Sequence, residues 1–165
     1  MSIIAAALAA AVAFCAGSPD EPRCASPGGV SAPIEAVELA TLNELAEASF
    51  LSQRYSRESG ADDAWRAAGP GRSGDCEDRL LWAARELRTR HPHMADAYRF
   101  VLLHEDYETG GGGRAVRRMH MVLVVGEHVI DTQYRRLRHV SDYARRRAYA
   151  PEAAMSGRWV RTALE

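Results

Sequence analysis

Lysine is absent: all 21 basic residues are arginine, set against 22 acids for a net charge of −1. GC-rich coding accounts for this first, and anion recognition only weakly, although guanidinium forks suit phosphate oxygens. No apolar run approaches the ~20 residues of a bilayer-spanning helix, which excludes a helical membrane protein. Aromatic residues are 7% of the chain, and none interleave with the arginines as a stacking platform, so no recognisable nucleic-acid module is present. Internal repeats are also lacking.

What is present is enough apolar material for one core. The chain has 165 residues, 47% hydrophobic, the size of one ordinary domain. Residues 1–30 read as an N-terminal leader and possible disulfide loop, and residues 31–165 as the domain. Ser2 to Ala16 is Ala-rich and the length of a signal-peptide core, but no Lys or Arg precedes Ile3. Export to the periplasm or medium is the expectation, with a cytoplasmic location if this segment is not a leader. Charge is uneven: residues 114–165 hold 11 Arg against 5 acids, and residues 1–113 hold 10 Arg against 17. Arg135, Arg136, Arg138 and Arg145, Arg146, Arg147 could form an anion-facing patch.

Three cysteines are available. Cys15 and Cys24 bracket a Pro-rich turn segment that could bring the two thiols together. Two unpaired thiols, or loss of Cys15 with a cleaved leader, are equally open from the residues alone. Cys76 stands apart from both.

Pro33 can open a helix whose apolar positions Ile34, Val37, Leu42, Leu45 and Phe50 interleave with glutamates, running to about Arg57. Gly69-Pro70-Gly71 marks a turn. Asp75 is a good N-cap with Asp78 three residues on, and Leu80, Ala84 and Leu87 continue one face from Cys76. Pro92 ends that helix. Tyr98 to His104 predicts a strand, followed by a loop with four consecutive glycines. Met119–Val125 and His128–Gln133 are strand-like runs joined by Gly126-Glu127, the connection of a type II′ hairpin. If Val125 pairs with His128, then His120 and Asp131 are diagonal neighbours on one sheet face, within side-chain reach. The tail predicts a helix or irregular segment around Tyr143–Ala153 and a last strand at Arg158–Thr162.

These placements suggest chemistry. A cysteine at the first helical position feels the partial positive charge and unpaired N–H groups of a helix N-terminus, which favour the thiolate nucleophile. Glu77 and Asp78 oppose this, so His120 would have to supply most of the stabilisation. Singly, Cys76 could be structural, His120 a hydrogen-bonded strand residue and Asp131 a strand-end turn residue; the shared face of His120 and Asp131 makes two coincidences improbable. His91 and His93 have no partner at a metal-ligand spacing.

Gly74-Asp75-Cys76-Glu77-Asp78, then His120-Met121-Val122-Leu123, then Val129-Ile130-Asp131 resembles the bacterial transglutaminase-like cysteine proteinase family, to which the periplasmic LapG-type proteases belong. Leu42-Asn43, Asp63-Ala64-Trp65 and the Phe14-Cys15 to Cys24 segment resemble further family segments. The resemblance implies an α+β fold with a transglutaminase-like or papain-like core, the nucleophile helix packed on an antiparallel sheet. It implies Cys76 as nucleophile, His120 as proton carrier and Asp131 as its orienting acid, with a Cys15–Cys24 disulfide. It also implies calcium at Asp75, Glu77 and Asp78, hard oxygen ligands that would suit that ion. The chain departs from the family pattern at Arg79 and Thr132, positions that bear on substrate contacts. For the oxyanion, the Cys76 backbone N–H is one natural donor, with Trp65 or Gln133 as a second.

The expected function is therefore thiol-dependent hydrolysis of a peptide bond in a protein substrate, through an acyl-enzyme, with no cofactor required beyond possible calcium. Transglutaminase-type amide transfer is the related alternative. A non-enzymatic binding module using the Arg-rich C-terminal surface is the rival from another class.

Overall fold

The computed structural model describes residues 11–18, 20–26, 28, 33–51, 65–107, 116–144, 146–151, 159–162 and 164. Helix α1 covers 11–17, α2 Ala36–Leu51 and α3 Cys76–Arg90; strands β1 Tyr98–Tyr107, β2 Val116–Val125, β3 His128–Ile130, β4 Arg138–His139, β5 Arg147–Pro151 and β6 Trp159–Thr162 complete the order. The architecture is α+β. Six antiparallel strands lie in the order β4-β3-β2-β1-β5-β6.

Strand periodicity divides the core in two. Phe100, Leu102, Met121, Leu123 and Ile130 face the helices, where Leu42, Leu45, Leu80, Ala84 and Leu87 meet them. Their alternates Val101, Leu103, Val122, Val124 and Val129 face the other way, onto Val140, Tyr143 and Ala148. Each fully buried Leu or Val contributes about 1.5–3 kcal/mol relative to exposure. The sheet is thus buried on both faces at its centre, which is why β2 reads as a nearly continuous apolar run rather than an alternating one.

The β2–β3 hairpin has the expected register, Val125 opposite His128. Gly126 has φ +57° while no non-glycine among the described residues has positive φ, which fits a type II′ turn and not a type I′ turn. Helix α3 also starts where expected, with Asp75 extended at the N-cap position. Its side chain makes no capping bond, so the capping box inferred from Asp75 and Asp78 does not form.

Three element expectations change. Helix α2 begins at Ala36 and its described part ends at Leu51, with 52–64 outside the described residues. Val37 and Phe50 are exposed, at 60% and 42%, whereas Glu38 is buried. Glu38 takes that inner position because its carboxylate accepts the Glu35 N–H at 2.8 Å and pairs with His93, while His91 bonds Thr41 at 2.9 Å. The His91-Pro92-His93 connection therefore clasps the first turns of α2. Where a helix or irregular segment is expected around Tyr143–Ala153, a 3-10 turn, Val140–Tyr143, is followed by strand β5. Pairing of Leu103 with Ala148 along the free edge of β1 outweighs the local preference there. The four-glycine loop and residues 152–158 lie outside the described residues.

The N-terminal segment is built into this core. Cys15 and Cys24 form a disulfide with Cα atoms 5.4 Å apart. Beyond it, the fully buried Arg23 donates to the Ala95 carbonyl at 2.7 Å and to Asp96 at 3.0 Å, and lies 4.8 Å over the Tyr98 ring. Glu21 accepts the Tyr98 hydroxyl at 2.7 Å and pairs with Arg88. The segment consequently reports on core integrity. A disulfide closing so short a loop, with a sequence separation of 9, is worth roughly 2–3 kcal/mol in the chain-entropy model. Reduction should lower the melting temperature by roughly 4–12 °C; an unchanged Tm on reduction would show that the Glu21 and Arg23 contacts hold the segment unaided.

Candidate active site

Strand β2 passes His120 out of the sheet on the face opposite Met119 and Met121, and the end of β3 delivers Asp131 to the same side. Nε2 of His120 lies 2.7 Å from Oδ1 of Asp131. The diagonal relation expected from the hairpin is thus a direct hydrogen bond. Oδ1 also accepts the Gln133 backbone N–H at 2.9 Å, and Oδ2 accepts the Tyr143 hydroxyl at 2.7 Å. Asp131 has no exposed surface. Burial pushes its carboxyl pKa up, but the imidazole, the Gln133 N–H and the phenol outweigh that and hold it below its ordinary value. Burial, together with that contact, pushes the Tyr143 hydroxyl far above its ordinary pKa, which favours the donor form.

Cys76 opens α3 and is half-buried. Helix α3 packs on β2, and the N–H of the peptide joining His120 to Met121 acts on the sulfur, favouring thiolate. Other influences run against it. Burial comes first, then the Glu77 carboxylate, and the thiol donates to Glu77 Oε2 at 2.9 Å. The net effect pushes the thiol well above its ordinary pKa. The structure therefore brings His120, Asp131 and Tyr143 together on the sheet face away from the helices, whereas Cys76 packs with the helix-side core. The His120–Met121 peptide N–H acts on the sulfur, but among the described hydrogen bonds the thiol is joined to Glu77 and not to the imidazole.

Glu77 is itself perturbed. Burial and the adjacent Asp75 push its carboxyl up to about 8. Asp78 is tied elsewhere, its Oδ1 accepting the Arg66 backbone N–H at 2.7 Å while its carbonyl accepts from Ala68. Gly74 leaves room for that carboxylate: a Cβ there would meet Oδ2 of Asp78 at 2.9 Å. Among the described residues no group of three or more His, Cys, Asp or Glu side chains converges as for a metal ion. As arranged, Asp75, Glu77 and Asp78 do not fit a shared calcium ion, since Glu77 turns to the thiol and Asp78 to the 66–68 segment.

Trp65 is buried in the helix-side core, its ring 6.5 Å from that of Phe14. Gln133 is exposed, and its backbone rather than its side chain contacts Asp131. Of the tail arginines, Arg135 grips Glu47 at 2.9 Å and Arg138 pairs with Asp142 at 3.1 Å, so neither guanidinium is without an internal partner. A surface concavity of about 400 Å³ lined by Asn43, Glu47, Arg135 and Arg136 includes none of Cys76, His120 or Asp131. Tyr143 is the residue that sequence reasoning missed. The sequence reads as a helix or irregular segment there, and a single tyrosine twelve residues beyond Asp131 carries no local signal of that contact.

Comparison with known proteins gives no match: neither a protein-family model, nor a curated protein, nor a solved structure is similar to this chain.

The state of Glu77 makes a testable pH dependence. Because its folded value lies above the ordinary 4.5, the folded protein binds more protons than the unfolded chain between about 4.5 and about 8. Its contribution is most favourable below that window and declines as pH rises through it. Glu77→Gln should remove the decline, so that its Tm gains on the wild type progressively from pH 5 to pH 8.5. A constant offset across that range would mean Glu77 is ionised in the folded protein.

Proposed function

We propose that this protein is an exported thiol hydrolase that cleaves a peptide bond in a protein substrate through an acyl-enzyme on Cys76, on a transglutaminase-like core. The observation that carries the reading is the buried His120–Asp131 pair at 2.7 Å, adjoining the peptide against which the helix-start thiol lies. An ionised carboxylate at Nε2 keeps the proton on that nitrogen and leaves the Nδ1 lone pair as base. The disulfide suits an oxidising compartment, and among the described residues no helix is long and apolar enough to cross a membrane.

The proposed chemistry follows from these positions. Nδ1 takes the Sγ proton as sulfur adds to the scissile carbonyl, and Asp131 stabilises the resulting imidazolium. The Cys76 backbone N–H, at the start of α3, stabilises the tetrahedral oxyanion in this scheme. Collapse expels the amine, which takes the proton from Nδ1. Water then adds to the thioester, giving its proton to Nδ1, and the acid product leaves as the thiol is reformed. An amine in place of water would give amide transfer by the same steps. The Cys76–Glu77 bond belongs to the unliganded protein, and catalytic hydrogen bonds often tighten only with substrate bound.

That same bond favours a second reading, a scaffold in which a protonated Cys76 is structural and the protein only binds. Thiol reactivity separates the two. A nucleophile supported by His120 should react with iodoacetamide at pH 6 at least tenfold faster in the wild type than in His120→Ala. Equal rates in the two proteins support the scaffold. Cys76→Ala should abolish hydrolysis of a peptide substrate pool while keeping Tm within a few degrees; undiminished turnover in that variant refutes the hydrolase.

A further inference from the structure

We infer that Tyr143 is a positioning residue of this site, the group that keeps Asp131 ionised and so determines which nitrogen of His120 carries the proton. The inference rests on the hydrolase reading for its purpose, but the contact itself does not. Three donors saturate Asp131: the imidazole and the Gln133 N–H at Oδ1, and the Tyr143 hydroxyl as the side-chain donor at Oδ2. With no exposed surface at Asp131, water cannot readily replace the phenol.

The chemical consequence lies in the tautomer. While Asp131 is ionised it can only accept, so the ring proton stays on Nε2 and Nδ1 presents a lone pair. Without the phenol, Oδ2 is left buried and unpaired, and the cheapest relief is to protonate the carboxyl group. A neutral Asp131 can donate to Nε2 instead, which moves the ring proton to Nδ1. An imidazole in that form carries N–H at Nδ1 and cannot accept a proton there. Tyr143 thus acts through Asp131 and His120 without touching a reacting atom.

The tail builds this contact with some care. His139 caps the 3-10 turn by accepting the Ser141 N–H at Nδ1, Asp142 returns a bond from the His139 N–H, and Arg138 pairs with Asp142. Arg146 lies 5.4 Å over the Tyr143 ring. Val140 lies on the same turn and packs in the same cluster, which supplies a control.

The experiment is ¹⁵N NMR of the His120 ring in the full-length chain, at a pH where the imidazole is neutral. The wild type should show the Nε2–H pattern, and Tyr143→Phe should move it to a mixed or Nδ1–H pattern. Val140→Ala, which loosens the cluster without touching Asp131, should leave the wild-type pattern in place. An unchanged pattern in folded Tyr143→Phe overturns the inference, as does an equal change in Val140→Ala. Should Tyr143→Phe not fold, the wild type decides alone: a slowly exchanging, low-field phenol proton lost in Asp131→Asn supports the contact, and its absence in the wild type overturns it. Turnover enters none of these readouts. A wild type without hydrolase activity would sink the function and leave the tautomer result standing.

Discussion

A carboxylate with no exposed surface stays ionised only if its oxygens are saturated with donors, and Asp131 sets that requirement for this molecule. Meeting it engages three separate pieces of chain. Strand β2 supplies His120, the turn after β3 supplies the Gln133 N–H, and the 3-10 turn after β4 supplies Tyr143. Each piece is held by apolar neighbours on the sheet face away from the helices. Breaking the arrangement would leave a buried charge or a buried unpaired oxygen, so the polar contacts and the packing of that face enforce one another.

The other side of the site shows the reverse electrostatics with the same functional groups. Glu77 is also buried, yet its neighbours are a thiol and a second carboxylate rather than a set of donors, and its carboxyl is pushed up to about 8. Asp131 is held below its ordinary value. The surroundings of the two buried carboxyls thus push them in opposite directions. The thiol lies between the two influences, favoured as thiolate by the His120–Met121 peptide N–H and opposed by burial and Glu77.

Much of the site's frame could be read from local pattern. The glycine-first turn at Gly126 fixes how β2 and β3 pair, and period-two geometry then puts His120 and Asp131 on one face without any tertiary information. The start of α3 at Cys76 follows from the spacing of Leu80, Ala84 and Leu87, although the Asp75 side chain makes no capping bond. Local pattern failed where partners are distant in sequence. Val37 reads as core and is exposed, because Glu38 finds Glu35 and His93. The segment after Tyr143 reads as helix or irregular chain and becomes β5, because β1 has an edge to fill.

The sequence by itself determined a helix beginning on a cysteine, a hairpin that unites an imidazole with a carboxylate, and a short cysteine-bracketed loop able to close as a disulfide. These depend on contacts within roughly a dozen residues, where turn chemistry and periodicity leave little choice. Only the tertiary structure decided that Tyr143 completes Asp131 and that Arg23 is buried against Tyr98. It also decided that the thiol's hydrogen bond goes to Glu77. The physical reason is burial: which polar group loses its water, and which partner replaces it, depends on surfaces that meet only once the chain has packed.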